Sequence, residues 1–206
     1  MSRAVDYYFS LVSPWSYLGH VHFMEIARRH AVEVNYIPVS LGPVFAETGG
    51  LPLPKRAPHR QRYRFLEMQR WREKRGLPLN LRPRYWPFDV NLADRVVMAL
   101  TEAGADPDPY IRIAFAGIWA KELDLGDEAV IARQLREAGN DPGRTIQAAK
   151  AERVGERYNA HIQQAIDADV FGAPSYVLDG EVFWGQDRLE LLEDALISGR
   201  KAFTPV

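Results

Sequence analysis

Ser13 stands where an aromatic and β-branched run, Val5 to Leu11, gives way to Pro14-Trp15-Ser16-Tyr17-Leu18. A serine before proline at a helix start is an ordinary N-cap: its oxygen accepts a first-turn N–H, and proline fits the first helical position. The same place allows a second chemistry. Unpaired N–H groups and the positive end of the helix dipole favour an anion there and lower the pKa of a thiol. Ser13 would add one hydroxyl donor to a thiolate, stabilising the nucleophile without being it. The chain contains no cysteine. That excludes structural disulfides, dithiol redox chemistry and thiolate metal sites, and any sulfur nucleophile must arrive with a ligand.

Two other places have types and spacing that suit a peptide ligand. In Phe171-Gly172-Ala173-Pro174-Ser175, an Ala173-Pro174 bond is ordinarily trans. A cis bond would present the Ala173 backbone opposite Ser13, where an extended peptide adds as a short strand. In Trp184-Gly185-Gln186-Asp187-Arg188-Leu189-Glu190, Asp187 and Glu190 have capping-box spacing with Asp187 as the cap. Gln186, Asp187 and the N–H groups that follow are also suited to holding the charged end of a peptide.

The elements that must position these residues follow from composition and punctuation. Val5 to Leu11 reads as a buried strand, Pro14 to Arg29 as a helix and Val32 to Val39 as a second strand. Helix-type segments follow at Arg60 to Lys74, Leu92 to Ala103, Pro109 to Lys121, Glu128 to Glu137 and Arg153 to Ala168, separated by Gly, Pro and Asp. Ser175 to Leu178 and Glu181 to Trp184 flank Asp179-Gly180, a strong hairpin signal. A last helix runs from about Asp187 to Ser198. This order predicts an α/β fold, a mixed four-stranded sheet covered by helices on both faces, with a large all-helical insertion between its halves.

The bulk properties exclude several functions. With 206 residues, 47% of them hydrophobic, the chain buries a sizeable core, and its formal charge of −1 draws it to neither nucleic acid nor anionic lipid. No apolar run approaches the roughly 18 residues of a membrane span, and no basic start or secretory leader is evident, which points to the cytoplasm. Lys55 to Gly76 carries nine Lys or Arg against Glu67 and Glu73; one basic face is ordinarily a solvated surface, or a ligand or partner contact, and not a nucleic-acid site. His20 and His22 lie two apart and point to different sides of a helix, and His30 makes no recognised spacing with Glu25, so no metal is expected.

Taken together, Ser13-Pro14-Trp15-Ser16-Tyr17, Gly172-Ala173-Pro174 and Trp184-Gly185-Gln186-Asp187-Arg188-Leu189 resemble the 2-hydroxychromene-2-carboxylate isomerases and the related kappa-class glutathione transferases, along nearly the whole chain. The resemblance implies a thioredoxin-like fold of the bacterial disulfide-oxidoreductase type forming one compact unit. Its thioredoxin-like part would span about 1–45 and 170–206, and the helical insertion about 46–169. It also implies a homodimer and glutathione as cofactor. Ser13 would contact the glutathione sulfur, Ala173 would pair with the peptide ahead of a cis Pro174, and Gln186 with Asp187 would hold the γ-glutamyl end. Arg60, three residues before Tyr63, stands where the family has lysine. The family's Gly-Asn is here Gly49-Gly50, which removes one amide from the substrate region.

In the isomerase reading a thiolate adds to a conjugated double bond, which rotates as a single bond before glutathione leaves. An aromatic carboxylate substrate needs a flat apolar wall and a cation, offered by Trp15, Trp86 and Phe88 with Arg82 or Arg84. The segment 82–88 also reads as a packed loop, and Asn91 as either a cap or a substrate contact. A transferase releasing a conjugate and a non-catalytic peptide-binding module are the alternative readings.

Overall fold

The computed structural model describes residues 3–204. β1 (Ala4–Phe9) leads into α1 (Pro14–Arg29) and then β2 (Glu33–Pro38), which pairs parallel to β1 with Val5 opposite Val34. The chain between β2 and β3 holds α2 (Leu41–Thr48), α3 (Pro58–Arg75), α4 (Asn91–Glu102), α5 (Asp108–Trp119), α6 (Glu128–Glu137), α7 (Pro142–Lys150) and α8 (Glu152–Asp167). β3 (Ser175–Leu178), β4 (Glu181–Trp184) and α9 (Leu189–Ser198) complete the order. The sheet runs β2-β1-β3-β4, with β3 antiparallel to both neighbours. Asp179 and Gly180 both have positive φ, as a two-residue type I′ hairpin requires.

β1 is buried on both faces. Val5, Tyr7 and Phe9 enter the larger core with Phe23, Ile26, Tyr176 and Leu192, while Tyr8 joins Ile37, Val44, Ala165 and Val177 on the other side. A strand covered on both faces is apolar almost continuously, which is the pattern its sequence shows.

The structure departs from the sequence reading in four places. β1 ends at Phe9 because the next polar groups, the Ser10 hydroxyl and the Leu11 N–H, go to Asp94 at 2.9 and 3.0 Å and not to a neighbouring strand. α2 and α7 are additional helices; both are short and carry Gly and Pro in the first turn, Gly42-Pro43 and Pro142-Gly143, residues that resemble punctuation until Asp141 caps α7 through the Arg144 N–H at 3.1 Å. Asp187 is not a helix cap. The chain first makes a 3₁₀ turn over Gln186–Arg188, which places Asp187 inside the turn, its carboxylate 2.8 Å from Arg188. Asn91 is likewise the first residue of α4 and not its cap, and its N–H donates to Asp89 Oδ1 at 3.0 Å. Among the described residues, no helix is long and apolar enough to cross a membrane.

Candidate functional site

Ser13 is the N-cap of α1, with extended backbone, and its Oγ accepts the Ser16 N–H at 3.2 Å. Because the oxygen is used as acceptor, the hydroxyl proton is left to donate, and it points at the Ala173 carbonyl at 3.3 Å, a long bond. Among the described residues no histidine or carboxylate touches this hydroxyl, so none of them makes it a nucleophile. The first-turn donors can be counted. Pro14 has no N–H, the Ser16 N–H goes to Ser13 Oγ, and the Tyr17 N–H goes to the Ser13 carbonyl at 3.1 Å. The Trp15 N–H is left without an acceptor among the described residues.

The segment before Ser13 is held along its length. Asp94, fully buried on α4, accepts from Ser10 Oγ, the Leu11 N–H and the Tyr158 hydroxyl at 2.9 to 3.0 Å. The Trp119 indole donates to the Leu11 carbonyl at 3.3 Å and the Trp86 indole to the Val12 carbonyl at 3.0 Å. The Ser13 N–H turns back to the Ser10 carbonyl at 3.0 Å. Burial pushes the Asp94 carboxyl up to about 7, against the lowering effect of its three donors.

Opposite Ser13, the Ala173–Pro174 peptide bond is cis. Ser175 Oγ donates to the Gly172 carbonyl at 2.8 Å and the Gly185 N–H to the Pro174 carbonyl at 2.8 Å, so this loop is braced against the end of β4. The Ala173 N–H donates to no group among the described residues. Beside it the exposed rings of Phe171 and Trp184 meet edge to face at 4.7 Å.

Gln186 is buried, and its Oε1 and carbonyl are both taken by Arg75 at 3.2 Å. Its side chain packs on α1 at Gly19, where a Cβ would stand 2.6 Å from Gln186 Cβ; a glycine is required there for that close approach. Among the described residues the Gln186 side-chain amide nitrogen has no partner and is left for a ligand. Asp187 is exposed next to it.

Arg60 lies exposed in the first turns of α3, and Arg84 is exposed over the Tyr85 ring at 5.4 Å. Trp15 and Trp86 are half-buried against the main core, whereas Asn91 is exposed. The cation over Trp86 is Arg64, at 5.4 Å, and not Arg84. At Gly50 the Phe45 ring fills the space a side chain would take, with Cδ1 2.4 Å from an added Cβ, so the family asparagine does not fit the present packing. The basic segment 55–76 is not uniformly solvated: Arg72 reaches the Leu79 carbonyl, Arg75 reaches Gln186, and Arg64 lies on aromatic rings. His20 is buried, with Nε2 on Asp108 at 2.8 Å and Nδ1 3.4 Å from the Tyr7 hydroxyl. Burial lowers its pKa despite the Asp108 bond, which favours a neutral ring donating from Nε2.

Asp94, Trp119, Arg64 and Arg75 are the site residues that motif reading misses. Asp94 alone carries a local signal, a carboxylate within the apolar run Leu92-Ala93-Asp94-Arg95-Val96-Val97.

A mixed sheet with an inserted helical block, a cis-proline loop and a helix N-terminus capped by serine where a redox cysteine would act define a thioredoxin-like fold of the disulfide-oxidoreductase type. The chain belongs to the family of DSBA-like thioredoxin domains, which residues 4–197 match. It is 27% identical over 199 residues to a 2-hydroxychromene-2-carboxylate isomerase of Sphingobium xenophagum, covering 96% of this chain and all of that one. It is 25% identical to glutathione S-transferase kappa 1 of Caenorhabditis elegans, over 93% of this chain and 90% of that one. A solved 2-hydroxychromene-2-carboxylate isomerase superposes with a TM-score of 0.77 at 26% identity, covering 95% of each chain.

Proposed function

We propose that the protein is a glutathione-dependent isomerase of the 2-hydroxychromene-2-carboxylate type, acting on a small aromatic carboxylate. The observation that carries this reading is the pairing of Ser13 with Ala173: a hydroxyl whose proton is free to donate, facing a backbone whose N–H has no partner among the described residues. These groups suit a thiol-bearing peptide. The Ala173 N–H would pair with its backbone, and Asp187 with the Gln186 amide nitrogen would take its γ-glutamyl end. Arg60 supplies positive charge from α3. Glutathione, when bound, supplies a thiolate that adds reversibly to the substrate's conjugated double bond.

The residues of the chain do the rest. Ser13 turns its hydroxyl from the Ala173 carbonyl to the sulfur, and the Trp15 N–H and the α1 dipole act in the same direction. Trp15 and Trp86 provide the flat apolar wall, and Arg84 and Asn91 are the exposed polar contacts assigned to the substrate. In this reading the protein works in the cytoplasm, where the thiol of glutathione is kept reduced, and by resemblance it acts as a homodimer.

The test is turnover of 2-hydroxychromene-2-carboxylate with glutathione below the substrate concentration. Complete conversion with glutathione recovered is the expected result. Consumption of glutathione in proportion to product would make the protein a transferase, and glutathione binding without turnover would leave a peptide-binding module.

A further inference from the structure

We propose that Arg64, with Arg56 behind it, forms a carboxylate-binding subsite over Trp86 beside Ser13. The starting point is an uncompensated charge. Arg64 is half-buried on α3, yet among the described residues it makes no ion pair and no side-chain hydrogen bond. Removing a cation from water without a partner is costly, and such groups are ordinarily paired. Among the described residues the charged group that acts on it is another cation, Arg56, and burial together with that neighbour lowers its pKa to about 10. Arg60 in turn acts on Arg56 in the same sense. No carboxylate of the described chain offsets this charge.

Its position is defined all the same. The guanidinium carbon lies 5.4 Å from the Trp86 ring centre and 5.9 Å from that of Phe65, a geometry that orients the planar fork while leaving its N–H groups unspent. Trp86 is tied to Val12, the residue before Ser13, by its indole N–H. Arg56 is fixed separately: its Nε donates to the Leu51 carbonyl at 2.7 Å, and its guanidinium lies 6.0 Å from the Phe45 ring that occupies the Gly50 position. Where the resemblance calls for an asparagine amide, this chain has closed the space with Phe45 and has two pre-oriented, unpaired guanidinium groups nearby. A planar fork without an acceptor matches a carboxylate in two-point contact.

Two carboxylates fit this chemistry, that of an aromatic acid lying on Trp86 and the glycyl carboxylate of glutathione. The identity of these ligands rests on the proposed function; the subsite itself does not. The test is therefore a binding measurement without turnover: calorimetric titration of the full-length protein with cinnamate, with cinnamamide as its uncharged counterpart, and separately with glutathione. R64M, R64K and R70Q are compared with the wild type, their folding checked by circular dichroism. Arg70 serves as control because it is exposed and paired with Glu67.

Loss of a charge-assisted two-point contact corresponds to about tenfold or more in affinity. The expected result is that R64M weakens cinnamate by that factor and leaves cinnamamide and glutathione unchanged, with R64K intermediate and R70Q like wild type. Weakening of glutathione alone also supports the subsite and assigns it to the glycyl carboxylate. R64M binding both carboxylates as tightly as wild type, or wild type binding neither, overturns it. Neither result depends on isomerase activity, so a failed turnover assay leaves this assignment standing.

Discussion

The Trp86 indole N–H donates to the Val12 carbonyl at 3.0 Å, so a side chain from the loop between α3 and α4 sets the backbone immediately before Ser13. Trp119 does the same for the Leu11 carbonyl, and Asp94 for the Leu11 N–H. Three residues remote in sequence thus position the start of α1.

W86F keeps the ring and removes the donor. Leaving the Val12 carbonyl without its partner should cost about 1 kcal/mol, read as a lower urea midpoint with unchanged slope. Isomerase activity should fall as well, since Ser13 is positioned through Val12.

S13A removes two roles at once. Loss of the α1 cap should cost about 1 kcal/mol of stability. Loss of a donor to a developing anion should reduce kcat by roughly 100-fold. Ultraviolet titration of bound glutathione separates the two, because the thiol pKa should rise toward its free value in S13A and not in a variant destabilised elsewhere. A bound thiol with an unshifted pKa in the wild type would remove the mechanism.

Asp94 has a pH signature. Its carboxyl is raised by burial from 3.8 to about 7 in the folded protein. The folded state therefore holds this proton more tightly than the unfolded chain. Its contribution to stability is complete below about pH 4 and is lost as pH rises to 7, with a steepest slope of about 1.4 kcal/mol per pH unit. D94N cannot titrate, so urea titrations should show the variant gaining relative to wild type between pH 5 and 8. A pH-independent difference would contradict a raised pKa.

G19A places a Cβ 2.6 Å from Gln186 Cβ and 3.0 Å from the Tyr176 hydroxyl. The helix must move away from the 186–188 turn, at a cost of about 1 to 3 kcal/mol. Calorimetric titration should also show weaker glutathione binding, because Gln186 and Asp187 shift with that turn.

The amino-acid sequence alone determined the elements whose signals are local. The α1 limits, the Asp179-Gly180 hairpin and the central-strand character of β1 depend on capping, turn chemistry and burial within a few residues. The absence of cysteine is equally independent of the fold. Ser13 as a cap was legible for the same reason. The tertiary structure alone decided that the Ser13 hydroxyl meets Ala173, 160 residues away, and that Asp94, Trp86 and Trp119 hold the preceding loop. It also turned Gln186 inward onto Arg75 and put Arg64 in place of Arg84 over Trp86. These contacts join groups distant along the chain, and their partners are chosen by packing: a buried donor takes the acceptor that the fold brings within hydrogen-bond reach, and neither member carries a local mark of the other.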